Sequence, residues 1–280
     1  MNLRAIVLPF AAMVAAMASI QVGASLAQRL FPLVGAEGTT ALRVVLATVI
    51  LLVIRRPPLR GFNRMILAYG LALGVMNLLF YQSLKTIPLG VAVAVELTGP
   101  LVLAAVSRHG PWEILAVALS LAGLVLLAPI GHAGALDPVG LGFALAAGAC
   151  WALYIVFGQK AGATNPAGAA PLGMLVAAAV TFPVGFAHAG IKLFDPALLP
   201  LAVVIAALSS ALPYSLEMYA LTRLPRATFG ILMSVEPALA AVAGWLIVGQ
   251  HLSLRQAGAI GFIVLASAAA TVGLVSRWES

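Results

Sequence analysis

Long apolar runs separated by short polar joints fill this chain. The runs cover 6–27, 38–54, 64–84, 89–107, 112–129, 139–159, 167–189, 198–219, 227–248 and 254–275. A helix needs about 20 apolar residues to cross the hydrocarbon core of a bilayer. Each run is therefore read as one membrane-spanning helix. Strands of a membrane barrel are about 10 residues of alternating polarity, whereas these runs are longer and apolar all round. The pattern predicts an all-α integral membrane protein with ten transmembrane helices and no room for a soluble domain. Gly70 and Gly74, four apart in the third run, suit close packing of helices within the bundle.

Composition agrees with that pattern. Hydrophobic residues make up 63%, charged residues 8%, and mean hydropathy is +1.11. A soluble domain carries about 25% charge, so the solvent of this chain is largely lipid. The net charge of +7 is better read through cytoplasmic loops, which collect Lys and Arg, than as a nucleic-acid surface. With the N-terminus inside, the inner joints hold Arg4, Arg55, Arg56, Arg60, Arg64, Arg108, Lys160, Arg223, Arg226 and Arg277. The outer joints hold Arg29, Lys85, Lys192 and Arg255. That asymmetry predicts both termini in the cytoplasm. Arg4 followed by an apolar run and Ser25-Leu26-Ala27 also has the outline of a signal peptide. The run exceeds the usual h-region of about 7–15 residues and contains Gln21, so it is read as a retained helix. The single cysteine, Cys150, cannot form an internal disulfide.

The chain repeats itself. Ala18 and Gln28 recur as Ala149 and Gln159, at an offset of 131. Leu84-Lys85-Thr86-Ile87-Pro88 recurs as Leu221-Thr222-Arg223-Leu224-Pro225 at an offset of 137, which also carries Pro100 onto Pro237. Residues 1–137 and 138–280 thus form two five-helix halves. Because five is odd, the second half enters the membrane from the opposite side. Such inverted-topology repeats are the architecture of many secondary transporters, with the substrate held near the midplane and access alternating between the two sides.

Polar side chains within the runs mark where that substrate would sit. Glu96 lies four residues before Pro100, which cannot donate a backbone bond and frees the Glu96 carbonyl. Glu236-Pro237 stands at nearly the same place in the second half. Tyr214 and Glu217 share a helical face after Pro213, as do Asn77 and Tyr81, and Trp151 and Tyr154. Gln21 lies mid-span, and Arg43 lies near the outer end of its helix, placed to snorkel to the interface or to meet a carboxylate. Pro88, Pro100, Pro213, Pro225 and Pro237 supply bend points. His109, His132, His188 and His251 are scattered over loops and helix ends. No zinc-protease, Walker A or nucleophile-elbow motif occurs, so neither an enzyme nor a cofactor or metal is expected.

These residues resemble the ten-helix EamA branch of the drug/metabolite transporter superfamily, and within it the bacterial threonine/homoserine exporters. The resemblance is carried by Met17-Ala18-Ser19-Ile20-Gln21, Phe31 to Ala36, Thr40-Ala41-Leu42-Arg43, Glu96-Leu97-Thr98-Gly99-Pro100 and Gly148 to Ala152. Its longest stretch runs from Ala211 through Glu217 and Pro225 to Leu239. Gly249-Gln250 departs from the Gly-Glu usual in the family after the ninth helix. The resemblance implies a multi-pass protein of the bacterial inner membrane that exports neutral amino acids and related metabolites by alternating access. Substrate binding is expected at Gln21, Asn77, Tyr81, Glu96, Trp151, Tyr154, Tyr214 and Glu217. Arg43, Glu96, Glu217 and Glu236 are the candidates for proton coupling or ion pairing. The expected partners are amino acids, the lipid bilayer and protons, with no nucleic acid, and the expected state is a monomer. The rivals are an aromatic-amino-acid or broader drug exporter, an uncoupled facilitator, and a membrane-embedded enzyme.

Overall fold

The computed structural model describes residues 3–27, 29–57, 61–83, 85–86, 89–107, 111–127 and 137–225, with single positions and short stretches between 229 and 269. Among the described residues the regular structure is helical. Helix α1 spans Leu3–Ala27, α2 Phe31–Arg55, α3 Arg64–Ser83, α4 Leu89–Glu96, α5 Thr98–Ser107 and α6 Pro111–Leu127. Helix α7 spans Pro138–Thr164, α8 Ala169–Ala189, α9 Leu199–Ala206 and α10 Leu212–Leu221. These elements coincide with the first eight apolar runs. The runs at 227–248 and 254–275 fall almost entirely outside the described residues. Among the described residues, six helical segments are long and apolar enough to span a membrane: Val7–Ala24, Phe31–Arg55, Arg64–Ser83, Pro138–Thr164, Ala169–Phe194 and Pro196–Leu221.

The chain divides into two compact units, one of Met1–Gln82 with Leu153–Arg223, the other of Ser83–Ala152 with Leu224–Ser280. Each unit therefore takes chain from both sequence halves, and the boundary crosses α7.

In the first unit, small residues set the helix spacing. A Cβ on Gly70 would lie 2.5 Å from the Gly173 carbonyl oxygen, and one on Gly74 would lie 2.9 Å from Val180 Cβ. The two glycines thus seat α3 on α8, the packing role expected from their spacing. Gly185 brings α8 equally close to Ala41 of α2. The Thr48 hydroxyl shares its proton between the Val44 carbonyl at 2.7 Å and the Met174 carbonyl at 2.9 Å, tying α2 to α8. Such contacts hold helices together where lipid removes the usual hydrophobic drive. Asn63 starts α3 by accepting from the amides of Met65 and Ile66. Its amide nitrogen also reaches Thr164, and Asn165 reaches the Gly61 carbonyl.

Two helices in this unit are interrupted. Helix α2 is broken at Gly35, with φ 71° and ψ 174°, a conformation open essentially to glycine alone. Between α9 and α10, Ala207–Ala211 form a π-helical turn in which the Leu212 amide donates to the Ala207 carbonyl. Pro213 follows directly. Its ring would crowd the carbonyl four residues earlier in a regular helix, and the wider turn supplies the space.

In the second unit, the helical run at 89–107 breaks at Leu97, between α4 and α5 and three residues before Pro100. The Glu96 carbonyl oxygen faces Gly148 of α7, where a Cβ would lie only 2.4 Å away. The backbone of α7 at Gly148 therefore passes close to this carbonyl, with no room for a side chain between them. Asp137 caps α7, accepting from the amides of Val139 and Gly140. A hydrogen bond from Thr86, joined by these amides, holds the Asp137 carboxyl below its ordinary range.

Candidate functional site

The first unit gathers most of the expected polar residues. Asn77 is central. Its amide nitrogen donates to the Leu73 carbonyl at 2.8 Å and to the Tyr214 hydroxyl at 3.2 Å. The Leu73 carbonyl can only accept, which fixes the orientation of the amide. The Asn77 oxygen is left to accept from Arg43 Nη2. Arg43 is buried, and its guanidinium carbon lies 5.1 Å from the centroid of the Tyr81 ring, within the range of a cation–π contact. Phe31 and Phe80 meet the Tyr81 ring edge-on at 5.7 and 5.9 Å. Arg43 is therefore turned into the bundle and does not snorkel. Its partners among the described residues are an amide oxygen and an aromatic ring.

Tyr154 and Glu217 form the second part. The Tyr154 hydroxyl donates to Glu217 Oε2 at 2.6 Å, with both side chains buried. Such short bonds to a carboxylate are the strong, charge-assisted kind. The Tyr154 ring stands 5.0 Å from the Tyr69 ring and 6.2 Å from the Tyr214 ring, centroid to centroid. Tyr214 and Glu217 lie one turn apart on α10. A polar and aromatic track thus runs from Arg43 through Asn77 and Tyr214 to Tyr154, Glu217 and Tyr69. It carries a guanidinium at one end and a carboxyl group at the other.

Gln21 is buried on α1 of the same unit. Glu96, Trp151 and Glu236 are buried too but belong to the second unit. Pro100 lies in α5, Pro213 opens α10 and Pro225 follows the turn after α10. Pro88 and Pro237 lie outside the described residues.

Sequence reasoning missed three members of the first unit. The hydrophobic pattern puts Glu37 in a joint, yet it lies inside α2 and is buried; Gln82 donates to its Oε1 at 3.2 Å. His188, set aside as a scattered histidine, places Nε2 3.7 Å from Glu37 Oε2. Tyr69 passed as a span residue, although it lies two helical steps of four before Asn77 and so on the same face.

Comparison with known proteins assigns this framework. Residues 138–272 match the EamA-like transporter family. The threonine/homoserine exporter RhtA of Escherichia coli (strain K12) is 49% identical over 278 residues, spanning 98% of this chain and 94% of that protein. RhtA of Salmonella typhimurium (strain LT2) is 49% identical over 270 residues, spanning 95% and 92%. A crystal structure superposes along 99% of both chains with a TM-score of 0.72 at 20% identity, a likeness of fold alone. The relatives are named as exporters and the family is one of transporters, so the chemistry here is carriage and not catalysis. With near-half identity along almost its whole length, this multi-pass membrane protein belongs to the EamA-like transporter family.

Proposed function

We propose that the protein is a secondary transporter that exports neutral amino acids, threonine and homoserine foremost, across the bacterial cytoplasmic membrane. The observation that carries this reading is the 49% identity, over 98% of the chain, to exporters named for those two amino acids. The buried polar track of the first unit supports it, because ionisable groups inside a membrane bundle are costly and mark substrate or proton paths. In this reading ten helices form two inverted repeats, 1–137 and 138–280, with both termini cytoplasmic, and a monomer alternates its access. Glu217 receives the substrate ammonium or a coupling proton. Asn77, Tyr81, Tyr154 and Tyr214 hydrogen-bond the rest of the molecule. Gln21 is a further candidate contact in the first unit; Glu96 and Trp151 are the second unit's own candidates for substrate contact, Glu236 is a further ionisable group there, and the prolines provide the bends.

The test is uptake of labelled threonine into proteoliposomes, competed by a panel of unlabelled amino acids with and without a pH gradient. Saturable uptake, with homoserine among the strongest competitors, is expected. Glu96→Gln and Glu217→Gln, made separately, are expected to abolish or uncouple it. Full activity in both variants overturns the assignment of these acids, and failure of every amino acid to enter or compete overturns the substrate class.

A further inference from the structure

Among the described residues, Arg43 is a buried cation without a counter-ion. A guanidinium stays charged at any pH a cell meets, and burying an ion without an opposite charge is strongly unfavourable. Among the described residues no carboxylate forms an ion pair with it. Its hydrogen-bond acceptor is the neutral amide oxygen of Asn77, and its other neighbour is the face of Tyr81. Its Nε is buried with no hydrogen-bond partner, although the group presents five N–H donors in a planar fork. Glu37, on the same helix, instead meets Gln82 and His188. The fork suits two oxygens accepting side by side, and a carboxylate offers them.

We propose that Arg43 recognises the α-carboxylate of the transported amino acid and sets the carrier's preference for acids over their neutral analogues. The inference rests on the amino-acid carrier reading above. It adds a polarity to that site: carboxylate toward Arg43 on α2, ammonium toward Glu217 on α10, with Asn77 and Tyr214 bridging. The Asn77 amide, fixed by the Leu73 carbonyl, holds the guanidinium through one nitrogen and leaves Nε–H for the ligand. A zwitterion then supplies the negative charge that no described carboxylate supplies to Arg43.

The test compares threonine with threoninol, in which a hydroxymethyl group replaces the carboxylate and the ammonium is kept. Both compete with labelled threonine for uptake by proteoliposomes of the full-length protein. Both are also tested for thermal stabilisation of the purified protein in detergent, a readout that needs no transport. Loss of one partner from a buried charged pair predicts that threonine outcompetes threoninol by about 100-fold in the wild type. In Arg43→Gln the ratio collapses to within about threefold by both readouts. Arg43→Lys keeps the charge but loses the fork, so it shows an intermediate ratio, and it decides the matter should Arg43→Gln fail to fold. If the wild type carries threonine yet accepts threoninol equally well, the inference fails while the carrier reading stands. The same holds if either variant keeps the full wild-type preference. If the wild type carries no amino acid, the carrier reading fails and takes this inference with it.

Discussion

Replacing Tyr154 by Phe removes one oxygen and leaves the ring that packs against Tyr69 and Tyr214. The lost group is the donor to Glu217 Oε2 at 2.6 Å. Both residues are buried, so water does not readily replace it. A hydrogen bond to a charged group contributes about 1.5–3 kcal/mol, and each 1.4 kcal/mol is about tenfold in an equilibrium. The population with an ionised Glu217 held in place therefore falls by about 10- to 100-fold. If transport passes through that state, the initial rate of threonine uptake at low substrate falls by the same factor. The assay is labelled-threonine uptake in proteoliposomes at matched protein content, with size-exclusion profiles to establish that the variant folds. Tyr69→Phe, which leaves the Tyr154 hydroxyl in place, serves as control and should lose far less. A well-folded Tyr154→Phe variant that transports within twofold of the wild type refutes the reasoning, because the hydroxyl then has no part in presenting Glu217.

Three further substitutions test the helix packing within each unit. Gly173→Ala puts a Cβ 2.2 Å from Cδ1 and Cε1 of the fully buried Tyr69 ring. Overpacking of this kind costs about 1–3 kcal/mol; the thermal transition in detergent should drop, and Tyr69→Leu in the same chain should restore part of it. Gly35→Ala forces a side chain into φ 71° and against His188, 2.8 Å away. A loss of about 1–3 kcal/mol is expected, and an unchanged transition temperature would mean that α2 is not broken there. Gly148→Ala aims a methyl at the Glu96 carbonyl oxygen at 2.4 Å, where no side chain can yield. Expression and transport should both fall more steeply than for Gly142→Ala, a position with open space around it.

Much of the helical framework was legible because hydrophobic run length is the dominant signal in a membrane protein. The boundaries that failed did so for local reasons. Gly35 and Gly38 made the start of the second run look like a joint, which left Glu37 outside it. Pro32 held the contrary signal, since proline is favoured in the first turn of a helix, and α2 does begin at Phe31. The pairs Asn77 with Tyr81 and Tyr214 with Glu217 were readable from helical spacing. That Asn77 meets Tyr214 and that Tyr154 meets Glu217 was not, because those contacts join residues 137 and 63 positions apart. Pro213 announced an irregular backbone, but not that a π-helical turn would absorb it. The inward course of Arg43 was one of two options open in the sequence, and the partner it found was an amide and not an acid.

The most direct test of the central claim is counterflow. Proteoliposomes are loaded with unlabelled threonine and diluted into a trace of labelled threonine, for the wild type and for Glu217→Gln. A carrier that alternates access predicts a transient overshoot of label inside wild-type vesicles, lost or strongly reduced in the variant. A wild type whose label only equilibrates, unaffected by the internal threonine, would contradict alternating access and point to a passive pore.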